Sequence, residues 1–234
     1  MKTRTFLITT IIVLSLMFTA QTQSYKVGII GGVNFADLSL KSASGSDQLT
    51  SSKTRFGLGA IIGRQINQNF NLQLEPMYIQ KGATQMATQN SVNTEVNLSV
   101  LEIPLFIEVS YGNSIRPYFK AGPTLGILLS AEGKTEYGGA TAGQPLTTYE
   151  ADLTSVLNSM DFGVSFGAGL DFTFKKYNVF IEGRYSLGLA DLYKGGTIEW
   201  KSADETIIVQ GNEAAELKTS GIQVFAGVTF PFGN

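Results

Sequence analysis

The strongest constraint on the fold is a strict alternation of apolar and polar residues between Leu101 and Tyr111. Every odd position there is apolar, whereas the even positions include Glu102 and Glu108. A period of two indicates a strand with two different faces, and about ten residues suffice for a tilted strand to cross a bilayer. In a soluble sandwich the apolar face would form the core. In a membrane barrel it would meet lipid, and the glutamates would point into the lumen.

The rest of the chain distinguishes these two folds, because the pattern recurs at similar length. Alternating segments occupy residues 25–35, 55–63, 70–81, 101–111, 115–129, 161–174, 178–189 and 222–230. Tight turns near Asn67, Gly112 and Lys176 alternate with longer polar segments, which are 39–53, 84–97, 131–159 and 192–219. Outer-membrane barrels have an even strand count, short periplasmic turns and long external loops. The sequence therefore predicts an eight-stranded antiparallel up-and-down transmembrane β-barrel, with both termini in the periplasm and the long loops extracellular.

The last long segment has a pattern of its own. Residues 197–201 and 206–210 contain several β-branched residues and flank the polar segment 202–205. This arrangement predicts a hairpin. We expect it to prolong the seventh and eighth strands above the membrane.

The N-terminus has the layout of a secretory signal peptide. Lys2 and Arg4 precede an apolar run at 6–18, and polar residues follow at 21–24. We expect residues 1–24 to be a cleaved signal peptide and residues 25–234 to form the barrel; the alternative is a retained anchor helix. Because the chain has no cysteine, it has neither a lipoprotein attachment residue nor a disulfide framework.

The composition agrees with a membrane sheet protein. Only 15% of the residues are charged, and 26 glycines against 6 prolines suit crowded, curved sheets better than a disordered linker. After residue 24 no apolar run reaches the length of a membrane helix, so a membrane protein with this sequence has to be a barrel. The net charge of −2 gives no reason to expect nucleic acid as a partner.

Four motifs occur in order at strand spacing. They are KVGIIGGVNFADL at 26–38, LEIPL at 101–105, PYFKAGP at 117–123 and EGRYSLGL at 182–189. Together they resemble the PorT-like family of small outer-membrane barrels of Bacteroidota-type bacteria. The resemblance implies a Gram-negative outer-membrane location, with outer-membrane lipid and the barrel-insertion machinery as partners and residues 228–232 as the strand recognised during insertion. The family's namesake belongs to a protein-secretion system, which implies a secretion-system protein as an alternative partner. The resemblance supplies no catalytic residue.

Charged residues recur on the polar faces of the strands and should face the lumen. They are Glu75, Glu102, Glu108, Asp161, Asp171, Glu182, Arg55, Lys81, Arg116, Lys120 and Arg184. The candidate site is a structural charge cluster made of Glu75, Glu102, Glu108, Arg116, Lys120, Glu182 and Arg184. Because eight strands leave an interior just wide enough for side chains, we expect a paired, hydrogen-bonded plug and not a water-filled channel. The alternative is a proton or ion path along Glu102, Glu108, Glu182 and Arg184.

Catalysis is the less favoured hypothesis, because the chain contains no histidine. This excludes serine nucleophiles paired with imidazole and histidine metal sites, and it leaves carboxylate or lysine chemistry without a supporting motif. We therefore expect no enzyme activity, cofactor or metal. The glycines at 31, 32, 167 and 169 lie within alternating strands with no helix N-terminus after them, so they should relieve crowding and not bind phosphate.

Aromatic residues near the strand ends predict interfacial girdles. They are Tyr25, Phe35, Phe70, Tyr78, Tyr111, Tyr118, Phe174, Tyr177, Tyr185 and Phe230. The alternation turns Tyr118 inward, which makes it the exception. A ligand-stacking role for these rings is the alternative.

These observations predict a non-catalytic integral outer-membrane barrel whose exposed external loops have a structural, adhesion or binding role, with a surface protein as partner. Two alternatives remain open at this point. One is an accessory subunit of a protein-secretion apparatus. The other is a soluble secreted barrel that binds a small apolar ligand, although glycines and paired charges make a poor apolar cavity.

Overall fold

The structure is a computed structural model that describes residues 24–41, 47–48, 51–86, 93–137, 147–210 and 216–233. The signal peptide predicted for residues 1–24 lies, except for Ser24, outside these residues. Thirteen strands occupy the described ranges: β1 (Tyr25–Lys41), β2 (Asp47–Gln48), β3 (Ser51–Gln65), β4 (Phe70–Leu74), β5 (Met77–Met86), β6 (Asn93–Ser110), β7 (Ile115–Tyr137), β8 (Thr147–Asp152), β9 (Met160–Thr173), β10 (Asn178–Gly188), β11 (Thr197–Lys201), β12 (Thr206–Gln210) and β13 (Glu216–Phe232). One short 3-10 helix, Thr154–Val156, follows β8. No helix in the described ranges is long and apolar enough to cross a bilayer.

The strands pair antiparallel throughout. β1 pairs with β3, β3 with both β4 and β5, and these two with β6. β6 then pairs with β7, β7 with β9, β9 with β10, β10 with β13, and β13 with β1. The eight predicted segments correspond to β1, β3, β4 with β5, β6, β7, β9, β10 and β13. The prediction of an all-β antiparallel fold is confirmed.

Over the predicted segments the outer face of the strands is apolar, and the inner face carries the buried polar and charged side chains together with buried apolar ones such as Ile30 and Phe225. Phe119 is 53% exposed although the next residue, Lys120, is 1% exposed. The same contrast separates Ile181 from Glu182 and Ile107 from Glu108. A row of exposed apolar side chains around a closed series of strands is stable only against lipid, because contact between so large an apolar surface and water is unfavourable.

One strand is interrupted at its centre. β4 ends at Leu74 and β5 begins at Met77, because Pro76 has no N–H to donate to the ladder. The register against β6 nevertheless continues across the gap, from Leu74 opposite Leu105 to Met77 opposite Glu102. β4 and β5 therefore act as one strand, as the single predicted segment 70–81 implied.

Several strands run well beyond the ends expected from the sequence. β7 contains 23 residues and continues to Tyr137, whereas the alternating segment was expected to end at 129. At about 3.3 Å per residue it is roughly 75 Å long, which exceeds the thickness of a bilayer core even when tilted. Much of the predicted loops 84–97 and 131–159 is therefore strand, since β6 and β7 stay paired as far as Asn93 and Glu136.

The polarity of the two faces reverses along these strands. In β6, Val96, Leu98 and Val100 lie in or against a buried apolar core, yet Glu102, which has the same parity, belongs to the polar lumen. Residues 147–159 and 190–210, together with the strand ends packed on them, form the part that we call the cap. Its core includes Ala131, Leu153, Val156, Leu157, Leu192 and Leu217. The cap thus has an apolar interior, as a water-soluble domain has. The same strands continue below the cap, where their inward side chains form the charged lumen.

The hairpin predicted at 197–201 and 206–210 is present as β11 and β12, with Thr197 opposite Gln210 and Lys201 opposite Thr206. The expectation that it prolongs the seventh and eighth strands is wrong. β11 instead contacts β8, through Lys201 and Glu150, because Ile198 and Trp200 turn toward the apolar core of the cap. The chain that follows β10 is also attached to the cap, because an isolated β-bridge joins Tyr193 to Leu157.

Candidate functional site

Four ionised side chains meet at the centre of the lumen. Glu75 follows β4, Lys120 lies on β7, and Glu182 and Arg184 lie on β10. Lys120 Nζ is 2.6 Å from Glu75 Oε1 and 2.5 Å from Glu182 Oε2. Arg184 Nη2 is 2.5 Å from Glu75 Oε2 and 2.8 Å from Glu182 Oε1. Each carboxylate therefore binds both cations, and we call these residues the charge quartet.

The charge quartet is fully enclosed, with side-chain exposures between 0 and 2%. Its formal charges sum to zero, which is the condition under which a buried ionic group is tolerated. Arg184 also donates from Nε to Glu182 Oε1 at 2.9 Å, and Tyr118 Oη donates to Glu182 Oε2 at 2.8 Å. Each oxygen of the two carboxylates thus has at least one donor partner.

Aromatic rings close the lumen around the charge quartet. The Phe106 ring centroid lies 4.7 Å from Lys120 Nζ and 4.8 Å from Arg184 Cζ, which are cation–π distances. The Phe225 ring lies 5.0 Å from Arg184 Cζ. Both rings are at most 1% exposed. Phe106 and Phe225 were not among the candidate residues, although the even position of Phe106 in its strand was a signal for an inward ring.

Two glycines make room for this packing. A Cβ at Gly167 would lie 3.1 Å from Glu182 Oε1 and 3.2 Å from Lys120 Cε, and one at Gly169 would lie 2.6 Å from the Tyr118 ring. The inward orientation of Tyr118 and the role of these glycines in relieving crowding are both confirmed.

The other predicted lumen residues lie apart from the charge quartet. Toward the short turns, Glu108 binds Lys26 Nζ at 3.2 Å, Asn71 Nδ2 at 2.9 Å and the Gln73 amide. Toward the cap, Glu102 binds Lys81 Nζ at 2.6 Å, and Asp161 accepts a 3.0 Å bond from Thr219. The lumen is therefore a series of separate polar groups along the barrel axis and not one cluster.

Arg116, a member of the candidate cluster, and Arg55, which was expected only to face the lumen, both lie apart from the charge quartet. Arg116 donates to Ser110 Oγ at 2.5 Å and to the Gln68 carbonyl at 3.2 Å, beside the short turns. Arg55 binds Glu95 at 3.0 Å and the Asn97 side chain. Asp171 accepts a 3.3 Å bond from Asn178 near the same short turns. For Arg116 and Asp171 the period of two gives the face of the residue but not its height in the barrel. Arg55 differs, because its partners Glu95 and Asn97 lie on the outer face of β6, and the register of β3 against β5 shifts between Ser52 and Gly57.

Space beside the charge quartet is scarce. The two polar cavities in the lumen, one beside Lys26 and Asp171 and one beside Lys81 and Asp161, have volumes of about 10 Å³ each. Such a volume holds about one water molecule. Within the described ranges, no cluster of acidic side chains has the arrangement of a metal site. The geometry beside the charge quartet therefore suits structural charge pairing and leaves no room there for a substrate.

Residues 19–194 match the model of a family described as the outer membrane protein beta-barrel domain. The chain belongs to this family. As an outer-membrane β-barrel protein, it resides in the outer membrane of a Gram-negative bacterium, and its exposed apolar face meets lipid. The family match is broader than the PorT-like resemblance of the sequence motifs.

Solved structures support the fold of this outer-membrane β-barrel protein. The outer membrane protein OprG from Pseudomonas aeruginosa is 11% identical, with a TM-score of 0.52 over 93% of this chain and 99% of that chain. A major outer membrane protein from Thermus thermophilus is 7% identical, with a TM-score of 0.50 over 91% and 100%. The outer membrane protease OmpT from Escherichia coli is 9% identical over 92% and 100%, but its TM-score of 0.37 is too low to support an argument about activity. Comparison with curated proteins found no match.

Proposed function

We propose that this protein is a non-catalytic outer-membrane barrel of eight membrane-crossing strands, sealed by the charge quartet, whose extracellular cap is a binding or adhesion surface. The eight crossings are supported by the pairing series that begins and ends at β1. The observation that carries the proposal is the neutral, enclosed charge quartet, because it occupies the space that a pore or a catalytic centre would need for water or substrate. The cap is then the part of the protein that presents a surface to a binding partner.

The absence of catalysis is supported by how the carboxylates are used. Glu75 and Glu182 each bind two cations, so neither is free to act as a general base or nucleophile. The chain also lacks histidine.

Electrical recording tests the sealed interior. Purified protein in a planar bilayer should show no steady porin-like current, while a porin inserted in the same lipid serves as the positive control. A reproducible steady current from the wild-type protein would refute the seal.

Limited proteolysis on intact cells tests the orientation. Lys201 is the last residue of β11, directly before the exposed 202–205 turn, and its side chain is 65% exposed, whereas Lys134 lies within β7, with strand continuing on both sides of it to Tyr137. With the cap outside the cell, trypsin should cut after Lys201. It should spare Lys175 and Lys176, because the short turn between β9 and β10 would then face the periplasm. A Lys201→Gln variant should lose that cut. Cleavage confined to Lys175 and Lys176 would invert the topology.

The PorT-like motifs favour a second candidate, an accessory subunit of a protein-secretion apparatus. Extraction in gentle detergent followed by mass spectrometry separates the two candidates. Stoichiometric co-purification of secretion-system proteins would favour the accessory role, and recovery of the barrel alone would favour the cap as an independent binding surface.

A further inference from the structure

A largely apolar cavity of about 140 Å³ lies between the cap and the barrel rim. Its lower wall comes from the extended ends of the barrel strands, with Leu38 on β1, Ala83 on β5 and Val96 on β6. Its upper wall comes from Val156 in the 3-10 helix, from Leu157 and from Ile198 on β11. The cavity exists only where the cap closes over the barrel rim, so both parts of the molecule contribute to it.

The lining makes this cavity different from the small polar spaces in the lumen. Thr94 also borders it, but the Thr94 hydroxyl is bonded to the Thr135 hydroxyl at 2.6 Å. Tyr193 is the second lining residue with a polar side-chain atom, and the other lining side chains are aliphatic. A water molecule is retained in a cavity only with two to four polar partners, and aliphatic side chains offer none. An apolar cavity of about 150 Å³ in another protein stays dry and binds benzene or xenon. The cavity in the cap has nearly that volume and a largely apolar lining.

We propose that the cap binds a compact apolar molecule the size of a single aromatic ring. Filling the cavity restores the dispersion contacts that its lining otherwise lacks, and it removes the ligand's apolar surface from water. This inference takes one point from the proposed function, which is that the cap lies outside the cell. Binding itself is measured on purified protein, so the result is independent of orientation and of lumen conductance.

Trp200 provides a local reporter, because it is the single tryptophan of the chain. Trp200 packs on the cap core, beside Leu153. Bromobenzene is a suitable probe, since it has the required size and its heavy atom quenches indole fluorescence. In phospholipid vesicles, wild-type protein should show a saturable loss of Trp200 emission, superimposed on the linear loss caused by probe dissolved in the lipid.

Ala83→Leu should fill the cavity and weaken the saturable component at least tenfold. Ala203→Leu, the same change at an exposed position in the turn after β11, is the matched control and should leave it unchanged. If Ala83→Leu disturbs the cap, seen as Trp200 emission typical of exposed indole, Val156→Phe fills the cavity from the opposite wall. Quenching that is linear in the wild type, or a saturable component that persists in a folded filling variant, would overturn the proposal.

The size of the site can be tested separately with Leu157→Ala, which enlarges the cavity. This variant should gain saturable quenching by 1-bromonaphthalene, a probe too large for the wild-type cavity. Equal quenching of both proteins by that probe would contradict a size-selective site.

Discussion

Removing one carboxylate of the charge quartet should destabilise the barrel strongly. In Glu75→Gln, Lys120 and Arg184 each keep Glu182 as a partner, at 2.5 and 2.8 Å, but the enclosed group acquires one uncompensated positive charge. Breaking a buried ion pair in this way costs about 3–5 kcal/mol. Because neither cation loses every partner, we expect about 3 kcal/mol, at the lower end of that range. The measurement is the free energy of unfolding in lipid vesicles, obtained from urea titration of the fraction that migrates as folded barrel in gels.

The double variant Glu75→Gln with Lys120→Met makes this prediction specific to charge balance. It leaves the neutral pair of Glu182 and Arg184, so its cost should not exceed that of Glu75→Gln alone, even though it removes more contacts. Glu199→Gln provides the matched control, because the pair of Glu199 and Lys201 lies at 3.2 Å on the surface. Such a pair contributes about 0–1 kcal/mol. A cost below about 1 kcal/mol for Glu75→Gln, or additive costs in the double variant, would refute the reasoning.

Three further predictions follow from other parts of the structure. Leu105→Arg, on the outer face of β6, should reduce the free energy of unfolding in lipid by about 2–4 kcal/mol, whereas Ile208→Arg on the exposed β12 should change it by less than about 0.5 kcal/mol. In the cap, the side chain and backbone N–H of Thr154 hold the pKa of Asp152 below its ordinary value, so NMR titration should give a lower midpoint in the wild type than in Thr154→Val. Because the folded pKa of Asp152 is the lower one, its contribution to stability is present above the unfolded pKa and is lost as the pH falls through the folded pKa. Unfolding followed by Trp200 emission should show this loss of stability in the wild type, and Asp152→Asn should remove it.

The sequence was sufficient to predict the class of fold and the faces of the strands. The alternation placed Lys120, Glu182 and Arg184 on inward faces without any knowledge of their neighbours, because side-chain direction in a strand depends only on parity. It did not predict which charges meet. The contact between Lys26 and Glu108 joins residues 82 positions apart, and it depends on the tilt and stagger of the closed sheet.

The cap was missed for a different reason. Above the membrane the solvent outside the barrel changes from lipid to water, so the outer face of β6 becomes polar at Glu95, Asn97 and Ser99 while the inner face becomes apolar. The alternation continues through this change, but the apolar residues lie on the outer face within the membrane and on the inner face within the cap. The polarity of 84–97 and 131–159 therefore predicts loop, although the polar residues at 95, 97, 132 and 134 lie on the water-facing side of long strands.

The charge quartet also has a consequence for how the barrel assembles. Glu75 and Arg184 are separated by 109 positions in the chain, and Lys120 lies between them. Contacts of such sequence separation form late, because the intervening chain must first be ordered. Until β10 reaches its place, Glu75 and Lys120 neutralise each other, but each lacks its second partner, Arg184 or Glu182, so a partly closed sheet that excluded water would bury an ion pair with incomplete hydrogen bonding. Desolvation of the interior is thus tied to the closing of the last strand pairs, and half-assembled barrels should be rare at equilibrium.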